Sequence, residues 1–171
     1  FYGLDVDKCS KGDFYSKQWE VLPEILQNKG IKINWIHHFM RFNGMNDTST
    51  ALSWIEHYND NPEQQGKHTF FESQLSFSLI LDVLLSYTKF FLKSFVLINV
   101  RDAFRPKESS VDLWPILENE WVVSVRGGTA IRNCMFIALV DSALKNAPHQ
   151  KNALYLQENQ FWERALIHAW R

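Results

Sequence analysis

Near the end of the chain the residues Glu158-Asn159-Gln160 separate an apolar run, "NALYLQ", from an aromatic-rich helical pattern, "FWERALIHAW", which carries Glu163 at its third position. A carboxylate such as Glu158 at the end of a strand is well placed to act as a general base or to accept a hydrogen bond from a sugar hydroxyl. Capping and packing account for its neighbours. Asn159 can cap the helix, Glu163 lies in the first turn where the helix dipole favours a negative charge, and Trp162, Ala165, Leu166 and Ala169 follow at helical spacing. Glu158 is the residue left over, and it is the candidate base.

A second constellation is "SVRGGTAIRN". Gly127 and Gly128 free the backbone to turn tightly, Thr129 can cap the next helix, and the first amides of that helix would form an anion site. Arg126 and Arg132 add fixed positive charge for a phosphate or carboxylate, with Asn133 one residue further on. The pattern is neither a Walker loop nor the dinucleotide fingerprint. A third is Asp5-Val6-Asp7, which could hold a divalent metal or begin a site with a nucleophilic Asp. His37, His38 and His68 show no His/Cys/carboxylate grouping with zinc spacing and read as core or surface histidines. No Ser-centred nucleophile elbow is present.

The elements that would position these residues alternate. "FYGLDV" reads as a strand, and a helix follows from an N-cap at Ser16 to a stop at Gly30. "IKINWIHHF" reads as a second strand, which makes residues 1–39 a β-α-β unit. A short helix is predicted around "TALSWIEHY", a strand or entry turn at "KHTFFES", and a long helix over 75–98. In that long helix Ser78, Asp82, Ser86, Lys89 and Lys93 form one polar stripe at about 100° per residue, so it reads as a core helix wetted on one side rather than a membrane span. "RDAFRPKESSVD" is a polar connection, "LWPILENE" a short helix, "WVVSV" a strand, the Gly loop opens an amphipathic helix, and "NALYLQ" is a last strand before a last helix. The alternation predicts an α/β fold, a Rossmann-like three-layer domain with a mainly parallel sheet, over residues 1–171. Ligands of such sheets gather at the carboxyl ends of strands, which singles out the turns after "WVVSV" and "ALYLQ".

With 171 residues the chain is long enough for one sizeable core, and its net charge of -1 with no basic stripe argues against a nucleic-acid partner. Two cysteines, one in an apolar helical pattern, fit a reducing cytoplasm better than a disulfide framework. The chain opens on "FYGLDVD" without an initiator Met or a signal-peptide pattern, as expected for a piece of a longer protein.

Taken together, "YSKQWEVLPEILQNKGIKINWIHHF", "HTFFES", "RGGTAIRNC" and "LYLQENQFWERALIHAWR" resemble the N-terminal half of a family of bacterial surface-carbohydrate biosynthesis proteins regarded as GT-B-like glycosyltransferases. The "ENQxWE" block is the most specific part of the resemblance. It implies one half of a two-Rossmann-domain fold and an acceptor-side domain that is inactive alone. It further implies a carbohydrate or lipid-linked glycan acceptor, a nucleotide-sugar donor bound by a missing C-terminal domain, metal-independent catalysis without a cofactor, and cytoplasmic placement with peripheral contact at the inner membrane. Glu158, Asn159, Gln160, Trp162 and Glu163 match the block, and Arg126, Gly127, Gly128, Thr129 and Asn133 fall in the Gly-loop region. Two other readings compete: a non-catalytic binding or scaffold domain of a polysaccharide assembly system, suggested by the 15% aromatic content and the missing donor half, and a metal-dependent enzyme built on Asp5 and Asp7.

Overall fold

The computed structural model describes residues 5–41, 47–62, 66–97, 99–104, 111–158 and 160–170. Contacts divide the chain into two compact units, residues 1–74 and 75–171.

The first unit holds α1 (Val6–Cys9), α2 (Leu22–Asn28), β1 (Trp35–His37), α3 (Thr48–Asp60), β2 (His68–Phe70) and a 3-10 turn at Glu72–Gln74. β1 and β2 pair in parallel, with Trp35 opposite His68, Ile36 opposite Thr69 and His37 opposite Phe70. A parallel pair needs a crossover, and α3 supplies it. Asp47 starts that helix by accepting the Thr50 N–H at 2.8 Å. Hydrogen bonds from Ser49 and Thr50 hold its carboxyl down at about 2. Cys9, Ala51, Ile55, Tyr58 and Phe70 form the core, with Phe14, Phe39 and Trp54 packed against it. The turn into β2 depends on Gly66, whose φ of +110° and close approach to the Ile33 carbonyl admit no side chain.

The second unit is helical: α4 (Phe77–Ser94), α5 (Val100–Ala103), α6 (Trp114–Arg126), α7 (Gly128–Asn146) and α8 (Phe161–Ala169). α7 packs against α4, α6 and α8, and its Ala130, Leu139, Val140 and Ala143 are buried. Ser76 caps α4 by accepting the Leu79 N–H at 3.2 Å. The polar stripe of α4 is exposed as expected, but Phe77, Leu81, Leu84, Leu85 and Leu92 are exposed too, and only Leu79 and Val83 of its apolar residues are buried. Its interior face is therefore narrower than the composition implies. No helix among the described residues is long and apolar enough to cross a membrane.

A Rossmann-like three-layer α/β domain is thus ruled out. The described residues hold eight α-helices and a single pair of three-residue strands, and no layered parallel sheet among them. "WVVSV" lies inside α6: from Trp114 to Arg126 nothing breaks the helix, Pro115 sits in the first turn where it is tolerated, and a five-residue apolar run cannot by itself distinguish strand from helix. "NALYLQ" has no ladder partner, and its Leu154 is 66% exposed. In "FYGLDV", residues 1–4 lie outside those described, and Val6 begins α1 rather than continuing a strand. The helix expected from Ser16 begins at Leu22, with Pro23 in its first turn, and ends as expected before Gly30, whose φ is +73°.

Candidate functional site

The two strands are the only place among the described residues where parallel strand ends meet, and both ends carry titratable side chains. The ladder is short. Trp35 N–H donates to the Lys67 carbonyl at 2.7 Å, and Phe71 N–H donates to the His37 carbonyl at 3.0 Å. The far edge of β2 is closed by a side chain: the Asn59 amide donates to the His68 carbonyl at 2.9 Å and its Oδ1 accepts the His68 N–H at 2.8 Å. Asn59 of α3 therefore does the work of a third strand at that residue, satisfying a donor and an acceptor that burial would otherwise orphan.

Alternation along the strands sends Trp35, His37, His68 and Phe70 to a shared aromatic box completed by Phe14 and Tyr58. His37 Nε2 and His68 Nδ1 are hydrogen-bonded at 3.0 Å, with the rings 16° from parallel. Burial, and then the nearness of His68, hold His37 well below the ordinary histidine range; burial holds His68 down at about 4. Both rings are neutral at pH 7. They are core histidines, as the sequence suggests, and are bonded to each other.

One residue beyond β1 the situation reverses. His38 Nδ1 meets Glu72 Oε1 at 2.7 Å, and the same oxygen accepts the Phe39 N–H at 3.2 Å. The two side chains are 30% and 32% exposed, so solutes can reach them. Glu72 Oε2 is buried and finds no hydrogen-bond partner among the described residues, so the carboxylate reaches its neighbours through Oε1. A carboxylate on Nδ1 fixes the neutral ring with its proton there, so Nε2 is the basic nitrogen, and it steadies the imidazolium once Nε2 takes a proton. The dyad can therefore run general acid–base chemistry.

The residues that the sequence singled out sit elsewhere. Glu158 is exposed in an irregular segment, and its N–H donates to Glu163 Oε1 at 2.7 Å; its carboxylate is not at a strand end, because there is no strand. Asn159 lies outside the described residues. Gln160, not Asn159, is the N-cap of α8, in a capping box where Glu163 Oε1 also accepts the Gln160 N–H at 3.0 Å. Glu163 is 5% exposed, and its Oε1 serves that cap. Glu163→Ala is expected to orphan both N–H groups and destabilise the α8 packing by about 1–3 kcal/mol, read as a lower denaturant midpoint, whereas Glu163→Gln should recover part of the loss.

Arg126 ends α6 with its guanidinium held by the Ser94 hydroxyl at 2.9 Å and lying 4.1 Å from the centre of the Phe95 ring, while its carbonyl accepts the Tyr87 hydroxyl at 2.5 Å. It ties α6 to the end of α4. Gly127 is both the last cap of α6 and the first of α7, with extended backbone, and a Cβ there would come within 2.9 Å of the Val123 carbonyl. Gly128 and Thr129 lie in the first turn of α7, and no side chain caps that helix, so Thr129 is not a cap. Arg132 covers the Phe161 ring at 4.6 Å, and Asn133 Oδ1 is buried with no partner among the described residues. Arg126 and Arg132 thus address different aromatic rings and are not shown to converge on an anion site. Asp5 caps α1 by accepting the Lys8 N–H at 3.2 Å, and Asp7 lies within that helix.

No family model, curated protein or solved structure matches the chain. The functional reading therefore stands on the geometry and on the sequence segments themselves. The sequence reads His38 only as a core or surface histidine and does not single out Glu72, because their partnership spans 34 positions, which no local spacing reveals. The available signal was the strand-end rule applied to "IKINWIHHF" and "KHTFFES", the two runs that do pair.

Proposed function

We propose that this chain forms part of a glycosyltransferase of bacterial surface-polysaccharide assembly, with His38, oriented by Glu72, as the base for the acceptor hydroxyl. The observation that carries the reading is the 2.7 Å His38–Glu72 contact at the carboxyl ends of the parallel strands. Its two residues fall in "WIHHF" and "HTFFES", two of the segments on which the resemblance to surface-carbohydrate biosynthesis proteins rests. In this reading Nε2 of His38 removes the acceptor O–H proton, and the oxygen attacks the anomeric carbon of a nucleotide sugar. The bond to the phosphate breaks with its electron pair on the departing nucleotide, and the proton stays on an imidazolium paired with the Glu72 carboxylate. The acceptor is a carbohydrate or lipid-linked glycan, the donor is bound by another part of the full-length protein, and the setting is cytoplasmic, at the periphery of the inner membrane. The test is sugar transfer by the full-length protein carrying Glu72→Gln: wild-type turnover would remove the basis of the reading.

A second reading, a scaffold within the assembly system, is favoured by the exposed apolar residues of α4. Saturable nucleotide-sugar binding by the full-length protein would count against it.

A further inference from the structure

β1 and β2 are three residues each, too short for their backbone bonds alone to make a durable pair. Inside the fold the gap between them is spanned by the His37–His68 side-chain bond, with the two residues only 7% and 3% exposed. The elements around the pair contribute aromatic rings: Phe14 from the loop after α1, Trp35 and Phe70 from the strands, Tyr58 from α3. Those elements also carry titratable groups, among them Asp13 in the loop that holds Phe14 and Glu56, His57 and Asp60 of α3. Cys9 of α1 is buried and its carbonyl accepts the Tyr58 hydroxyl at 3.2 Å. Tyr58 is itself pushed up by burial and then by the Cys9 side chain, with a smaller effect of the Asp13 charge. His57 of α3 lies over Gly12 of the same loop, and His38 and Glu72 stand bonded to each other at the strand ends.

We propose that the buried His37–His68 pair is an acid-sensitive latch on the His38–Glu72 site: when the pair takes up protons the two strands part, and His38 leaves Glu72. With both rings neutral, one nitrogen donates and the other accepts. A first proton puts a charge into an aromatic box, and a second sets two donors against each other at 3.0 Å. The sign follows from the depressed values of both rings. Between the unfolded histidine value of about 6.5 and the folded value of about 4 for His68, the folded unit binds fewer protons than the unfolded chain. Its stability is fully present above about pH 6.5 and is lost as the pH falls toward 4. The consequence for activity rests on the reading of His38–Glu72 given above, whereas the latch itself is observable without activity.

The experiment is amide exchange on the full chain at Trp35 and Phe71, whose N–H groups hold the ladder, corrected for the intrinsic pH dependence of exchange. Protection at both is expected to fall by up to about a hundredfold per pH unit between pH 6 and about 4.5, the slope for two protons taken up on opening. Nitrogen NMR should show both rings neutral until protection is gone. In the His37→Phe/His68→Phe double variant the fall should flatten by about those two protons. Should that variant not fold, the wild-type ring spectra decide: rings that titrate near the ordinary value while the ladder stays protected overturn the latch, as does protection that stays flat down to pH 4.5. An acid-sensitive ladder together with full transfer by Glu72→Gln would support the latch and reject the functional reading.

Discussion

Asn59→Ala is expected to destabilise the unit that contains β1 and β2 by about 2–4 kcal/mol, because it strips partners from both the N–H and the C=O of the buried residue His68. Each orphaned buried group costs about 1–3 kcal/mol, and the lower part of the range applies here because the outer side of Asn59 is exposed and water can reach part of the edge. The isosteric Asn59→Asp distinguishes this account from simple loss of packing. Its carboxylate can still accept the His68 N–H, but its second oxygen faces the His68 carbonyl, where an N–H donor stood. Asp is therefore expected to be no better than Ala despite its near-identical shape. Denaturant unfolding followed by exchange at the Phe71 amide reads the effect in the ladder itself.

The second large effect concerns turnover. His38→Gln in the full-length protein is expected to lower the rate of sugar transfer by about 10²–10⁴, the range for losing a positioned general base. Glu72→Gln should lower it too: an amide oxygen can still accept the ring N–H and the Phe39 N–H, but a neutral amide does not steady an imidazolium as a carboxylate does. Because Glu72 acts largely through His38, the double substitution should cost little more than His38→Gln alone. Strict multiplication of the two single effects would mean independent roles and would break the dyad as a unit.

Much of the helical framework was legible in the sequence. The caps that mark it are local: Ser76 before α4, Asp47 before α3, and Gly30 after α2 each act within a few residues of the pattern they close. The two strands fall in "IKINWIHHF" and "KHTFFES", read as a strand and as a strand or entry turn, but their pairing and the absence of further strands among the described residues were not legible, for a physical reason. Runs such as "WVVSV" and "LYLQ" satisfy a strand pattern, yet a strand exists only where a partner offers a ladder, and these runs have none. The pairing that does form joins residues 35–37 to 68–70, and it depends on a glycine tucked against the Ile33 carbonyl and on an asparagine of α3. The candidate site inherited the same limit. Glu163 was readable as a first-turn carboxylate, and the capping box confirms that placement, but Glu158 attracted notice only through a strand that does not form. His38 and Glu72 come together only after the parallel register is set.

The most direct test of where the chemistry lies is sugar transfer by the full-length protein carrying Glu72→Gln, measured beside Glu158→Gln in one assay. Turnover lowered by about 10² or more in Glu72→Gln and unchanged in Glu158→Gln is the predicted result. Wild-type turnover in the first with a loss in the second would contradict the account and return the chemistry to residue 158.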